Sequence, residues 1–250
     1  MSKQNIYDEE AMFAGYATLR ARPDNANDLV ETPAMLALLP ELTGKTVLDL
    51  GCGAGGHCAE YARRGAKRVL GTDISEKMLA AAREHNIHPA IEYRRMAMED
   101  VAALGETFDV VCSSLAMHYV KDFHALMRAI FAVTNPGGML VFSQESPLTS
   151  CYCDADGARW ERDENGEKRC ARLAHYGEEG ERVSEWFIEG VVEYHRMFST
   201  VINDLAQAGF LVEQLSEAVP DAEFCRRYPL YTDNVHRPDF LLVRARKPLF

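Results

Sequence analysis

From Lys45 onward the apolar positions fall into short blocks at regular intervals. Val47–Leu50, Val69–Thr72, Phe108–Ser113 and Met139–Ser143 are runs of strand length, and Ile91–Arg94 is a weaker one. Between them apolar residues recur at helical spacing. One helix is predicted over His57–Arg64, closed by Gly65, and another over Glu76–Glu84, with Ser75 placed to cap it. A third follows Asp122, carries Leu126, Ala129, Ile130 and Val133 on one face, and stops at Asn135-Pro136-Gly137-Gly138. Strands alternating with helices predict a mostly parallel sheet covered on both faces.

The flanking segments complete that pattern. Glu9–Arg20 reads as a helix through Met12, Phe13, Tyr16 and Leu19, and Pro33 opens a second that runs to Leu39. Near the other end, a helix over Thr200–Ala208 precedes strands over Phe210–Leu215 and Phe240–Ala245. The stretch from Pro147 to Gly180 breaks the rhythm. It is polar, rich in glycine and charge, and too long for an ordinary connection, so a lid or small lobe is expected, with strands near Arg182–Val192.

Length and charge narrow the picture. A chain of 250 residues is most simply one domain over 1–250, with 1–44 as a helical cap and 147–192 as an insert. A formal net charge of -11 disfavours non-specific attraction to nucleic acid or to an anionic membrane. No apolar run is long enough to span a bilayer, and MSKQNIYDEE lacks the apolar segment of a signal peptide, so the cytoplasm is the expected compartment. The seven cysteines are scattered. Cys52, Cys58 and Cys112 lie in apolar elements and read as small hydrophobes. Cys151-Tyr152-Cys153, with His175 or Cys170, has irregular spacing, and no metal centre is expected.

The richest stretch chemically is Thr46–Gly56, TVLDLGCGAGG. It reads as strand, glycine turn and helix, and the free N–H groups of that helix face whatever lies in the turn. Gly51, Gly53 and Gly56 satisfy GxGxxG, and Asp73 ends the next strand, so spacing alone admits a dinucleotide. Asp49 argues otherwise. Its charge is poorly placed beside a pyrophosphate and suits a ligand that carries a positive charge and no phosphate. The latter half of the chain also lacks a second nucleotide-binding turn.

VLDLGCGAGG resembles motif I of the class I S-adenosylmethionine-dependent methyltransferases, and Gly71–Ser75, GTDIS, resembles their acidic second motif. Phe108–Val120, FDVVCSSLAMHYV, and Asn135–Ser143, NPGGMLVFS, are similar to their fourth strand and the turn into their fifth. The resemblance implies an α/β, Rossmann-like, seven-stranded sheet of order 3-2-1-4-5-7-6 with strand 7 antiparallel. It implies S-adenosyl-L-methionine as cofactor and S-adenosyl-L-homocysteine as product. Asp49 would arrange the site near the methionine ammonium, and Gly51, Cys52 and Gly53 would lend backbone. Asp73 would accept from the ribose hydroxyls, while Ile74 and Met78 would line the adenine. In the third motif this chain has Met96-Ala97-Met98-Glu99-Asp100, with Ala97 where relatives carry an aspartate. The backbone of Met98, and Glu99 as a substitute, would then serve the adenine. Ser114 would face the methionine portion, and Tyr16 and Arg20 of the first helix its carboxylate.

The acceptor side is read from polar residues near strand ends. His118 and Tyr119 follow the fourth strand at the edge where such sheets place ligands. His118 and His195 are the candidate bases, since a neutral imidazole takes a proton near neutral pH. Tyr7, Tyr119, Trp160, Tyr176 and Arg196 are the candidate substrate contacts, and Trp186 belongs with the aromatic residues of the insert. The leading reading is methyl transfer to an oxygen, nitrogen or sulfur of a small molecule, by a monomer or homodimer. An RNA or protein methyltransferase and a non-catalytic cofactor-binding protein are the alternatives. The former would need a basic groove, and the chain has no sustained Lys/Arg run.

Overall fold

Val47, Leu48 and Leu50 have no exposed surface, and a strand apolar on both faces belongs in the middle of a covered sheet. The computed structural model describes residues 3–151 and 159–249 and places it there. Strand β1 (Thr46–Leu50) pairs in parallel with β2 (Arg68–Asp73) and with β4 (Phe108–Ser113). Beyond them lie β3 (Ile91–Arg95) and β5 (Thr134–Glu145), also parallel. The sheet is completed by β10 (Leu211–Glu217) and β11 (Phe240–Arg246), with β11 antiparallel to both β5 and β10. Its order is β3-β2-β1-β4-β5-β11-β10, the expected arrangement with the penultimate strand reversed.

Helices cover both faces. On one, α5 (Phe123–Val133) and α7 (Phe198–Ala208) press Leu126, Ile130, Val201 and Leu205 against Leu48, Leu140 and Val243. On the other, α2 (Thr32–Leu38) and α3 (Gly56–Arg63) bring Met35, Leu38, Cys58 and Tyr61 against Val47, Val69 and Val141. The pleat of β1 sends Leu48 and Leu50 to the first layer and Val47 to the second. Asp49 shares the face of Val47 and meets α3. The remaining helices are α1 (Glu10–Ala21), α4 (Glu76–His85), α6 (Pro147–Ser150) and α8 (Ala222–Arg227). Ser75 makes its predicted cap, Oγ accepting from Met78 N at 3.1 Å, and Asp122 Oδ1 caps α5 by accepting from Ala125 N at 2.9 Å.

Three segments differ from expectation. Asn135-Pro136-Gly137-Gly138 ends α5 but also belongs to β5, because Gly137 N donates to Lys247 O and extends the ladder. The insert holds two hairpins rather than one: β6 (Trp160–Arg162) with β7 (Lys168–Ala171), and β8 (Gly180–Trp186) with β9 (Ile188–His195). The first of these is short, polar and largely exposed, so it lacks the alternation that announces a half-buried strand. Between β10 and β11, α8 and a turn at Pro229–Val235 lay Phe224, Tyr228 and Tyr231 on the α2/α3 layer. Tyr152 and Cys153 lie outside the described residues.

Candidate active site

A chamber of about 1110 Å³ opens where the sheet's parallel strands end, the edge at which such sheets take ligands. Its floor is the glycine turn after β1. Gly51 sits at φ 68°, and a Cβ there would come within 2.6 Å of Ala116 Cβ, so only glycine fits. Cys52 N donates to Thr72 O and Gly55 N to Cys52 O, each at 2.9 Å. Asp73 closes the floor: Oδ2 accepts from Gly53 N at 2.9 Å and Oδ1 from Ser75 N at 2.8 Å. Burial nonetheless raises the Asp73 pKa above the usual carboxylate range.

Asp49 behaves differently. Its Oδ2 accepts from Cys58 Sγ at 3.2 Å, whereas Oδ1 is buried and has no partner among the described residues. Burial pushes its pKa up to about 6. Such an oxygen is costly unless a ligand donor meets it. A second buried acid, Glu31, stands near by and is well satisfied. Its Oε1 accepts from Ser114 Oγ at 2.8 Å and from Ser143 Oγ, and its Oε2 from Thr32 Oγ1 at 3.1 Å.

The roof comes from the N-terminal segment and the β8–β9 hairpin. Asp8 Oδ1 accepts from Ser75 Oγ at 2.6 Å and Lys77 N at 3.1 Å, tying that segment to the start of α4. Tyr7 then meets Tyr16 edge-on at 5.3 Å and Tyr119 at 6.5 Å, and Tyr16 meets Trp186 at 6.0 Å. Ile6, Met12 and Val191 pack beneath these rings. At the hairpin tip Phe187 lies against Gly15 of α1, where a Cβ would come within 2.5 Å of the ring.

Most of the predicted residues gather at this chamber. Tyr7, Tyr16, Arg20, Asp49, Gly51, Cys52, Gly53, Asp73, Ile74, Met78, Met98, Glu99, Ser114, His118 and Tyr119 all line it. Arg20 does so while paired with Asp28 at 2.7 Å. His118 is 5% exposed, its Nδ1 has no partner among the described residues, and burial lowers its pKa to about 3.

Four expectations are corrected by placement. His195 has no exposed surface, and both ring nitrogens are engaged, Nδ1 with Ser150 Oγ at 3.0 Å and Nε2 with Tyr176 O at 2.9 Å. It anchors α6 to the insert and is not positioned as a base. Arg196 is buried over the Phe123 ring and donates to the carbonyls of Val120 and Lys121, so it offers no cation to an acceptor. Tyr176 Oη accepts from Phe198 N at 3.1 Å and caps α7. Trp160 lies in a separate hollow between Lys168 and Arg237. In each case a polar or aromatic tip serves packing within the fold.

Comparison with known proteins decides the family. The family described as methyltransferase domain matches residues 48–142. A solved S-adenosylmethionine-dependent methyltransferase from Mesorhizobium loti shares 38% identity at a TM-score of 0.78, covering 87% of this chain and 97% of that one. The chain belongs to the class I S-adenosylmethionine-dependent methyltransferases. An uncharacterized protein of Haemophilus influenzae is 41% identical over 98% of both chains. A ubiquinone biosynthesis O-methyltransferase of Neisseria meningitidis is 43% identical over 107 residues, 41% of this chain and 45% of that one.

As a methyltransferase the chain uses S-adenosylmethionine, and its floor fits that cofactor. The orphaned Asp49 oxygen matches a cationic donor, and the glycine turn lies on the chamber lining beside it. Sequence reasoning missed Asp8, Glu31, Glu145 and Glu193, the last two of which also line the chamber. Glu145 is the one with a local signal, an acid at the C-terminal end of a parallel strand. The others are brought in by tertiary contacts.

Proposed function

We propose that this methyltransferase alkylates an oxygen, nitrogen or sulfur of a small molecule held between the glycine floor and the aromatic roof. The observation that carries the reading is the roof itself. Tyr7, Tyr16, Tyr119 and Trp186 form a chain of edge-on contacts above the strand ends, which encloses a compact acceptor and obstructs a folded polymer. The partial match to an O-methyltransferase of ubiquinone biosynthesis supports the same class.

When bound, the cofactor supplies an electrophilic methyl group on a sulfonium sulfur. Asp49 would pair with the cofactor's ammonium, giving Oδ1 a donor. Asp73 would take the ribose hydroxyls, Ile74 and Met78 would flank the adenine, and the Met98 backbone with Glu99 would hold its edge. Ser114, fixed by Glu31, would serve the methionine portion with Arg20 and Tyr16. The described N-terminal segment from Lys3 to Arg20 and the β8–β9 hairpin would close the chamber, excluding water and orienting the nucleophile, which supplies much of the rate. Tyr7 and Tyr119 contact the acceptor. His118 stays neutral at working pH, so its ring accepts a hydrogen bond from the acceptor better than it retains a proton.

The test is a transfer assay with methyl-labelled cofactor and a cell extract split by size. Label is expected in the low-molecular-weight fraction, and mass spectrometry then identifies the acceptor. Label confined to intact RNA or protein would overturn the small-molecule reading while leaving the family standing.

A further inference from the structure

We propose that His118, Glu145 and Glu193 form a binding site for a divalent metal ion in the chamber wall. A ring nitrogen of His118 and one oxygen from each carboxylate lie within 4.8 Å of one another. Metal bonds to imidazole and carboxylate run about 2.0–2.2 Å, so only a small inward closure would bring all three onto one ion. Each ligand is set by a different element. His118 lies on the turn Met117–Tyr119 after β4, Glu145 ends β5, and Glu193 shares one face of β9 with the buried Val191 and His195.

Two features of the trio suit a cation. Glu145 and Glu193 bring one carboxylate oxygen each to the same part of the chamber wall, within reach of a single ion. Arg159 lines the same chamber, so an ion would share these acids with a guanidinium. His118 is the second, independent observation. The residue is 5% exposed, and its Nδ1 is buried without a partner among the described residues. A neutral ring is the form that ligates metal.

One imidazole with two carboxylates suits a zinc- or manganese-type ion, and three protein ligands leave positions open toward the chamber. With the ion in place the one lone pair of His118 would bind metal in place of the acceptor, and the ion would hold the acceptor oxygen or nitrogen and lower its pKa. The site stands independently of the acceptor's identity, because its occupancy is read by metal binding alone.

The test uses the full chain, stripped with a chelator and saturated with S-adenosylhomocysteine. Co²⁺ is titrated by its visible absorption and Zn²⁺ by calorimetry. One ion per chain is expected to bind. Glu145→Gln and Glu193→Gln should each weaken it by at least about tenfold, and His118→Ala should alter the Co²⁺ spectrum. His88→Ala, an exposed histidine outside the chamber, should change neither. Circular dichroism melts confirm that the isosteric Gln variants fold. The proposal is overturned if neither ion binds at millimolar concentration, or if binding ignores all three substitutions. It is equally overturned if the trio takes methylammonium but no metal, which would make it a seat for an organic amine.

Discussion

The floor and the roof of the chamber are built from different materials. The floor is backbone: Cys52 N is fixed by Thr72 O of β2 and Gly53 N by one carboxylate oxygen of Asp73, whose other oxygen holds Ser75 N. The roof is side chains: rings of Tyr7, Tyr16, Tyr119 and Trp186 in edge contact, seated on a small apolar cluster. A floor of that kind is formed before any ligand arrives. A roof of that kind has little holding it shut, and local opening costs least where buried apolar contacts are few. On the proposed reading the floor carries most of the cofactor's affinity, and the roof, Tyr16 apart, carries acceptor choice.

The comparison is broken most readily at Asp73. Asp73→Ala removes charge-assisted acceptors of about 2–3 kcal/mol, so S-adenosylhomocysteine should bind roughly thirty- to a hundredfold more weakly by calorimetry. An unchanged dissociation constant in a folded variant would show that the floor does not depend on it.

The next effect is in pH. Burial raises the Asp49 pKa to about 6 without ligand, and the cofactor's ammonium would lower it. Binding then releases a proton below pH 6, and affinity should rise with pH by up to about tenfold per unit until it levels above 6. Asp49→Asn should flatten that profile between pH 5 and 7. A profile that keeps its slope in the variant would assign the proton to another group.

The roof should answer more gently. Gly15→Ala puts a methyl into the Phe187 ring, and relieving such overpacking costs about 1–3 kcal/mol. The hairpin tip would lift, so the acceptor KM should rise several-fold while cofactor affinity holds. Loss of cofactor affinity instead would mean that floor and roof are one unit. The smallest signal is hydrogen exchange. With cofactor product bound, protection should grow over residues 3–21 and 180–195 and change little in the glycine turn, which is already bonded. The reverse pattern would remove the distinction.

What was legible in the sequence follows the same division. The turn after β1, Asp49 and Asp73 are read directly because strand, glycines and acids are adjacent in the chain and their conformations are local. Glu31 and Glu193 are invisible to such reading, and Glu145 shows only as an acid at a strand end, since the turn before α2, β5 and β9 meet Ser114 and His118 only after the sheet has formed. The misplaced residues share one cause. His195 and Arg196 read as a candidate base and a substrate contact, yet hydrogen bonds to Ser150 Oγ and to backbone carbonyls let both the imidazole and the guanidinium be buried. Polarity in a sequence tells of bonding demand, and the fold decides whether water or protein meets it. The hairpin β6–β7 was missed because neither of its faces is consistently apolar.

Gln4 has a consequence for solubility. Its side-chain amide donates to Val192 O at 2.9 Å and accepts from Val192 N at 2.8 Å, so one residue imitates a rung of a neighbouring strand. Those are two of the backbone groups along the edge of β9 away from β8, and an open edge recruits strands from other molecules. Gln4 is therefore a plug against edge-to-edge pairing. Gln4→Ala should leave the monomer's melting temperature almost unchanged and yet raise light scattering on concentrated storage, a liability that no assay of the dilute enzyme would register.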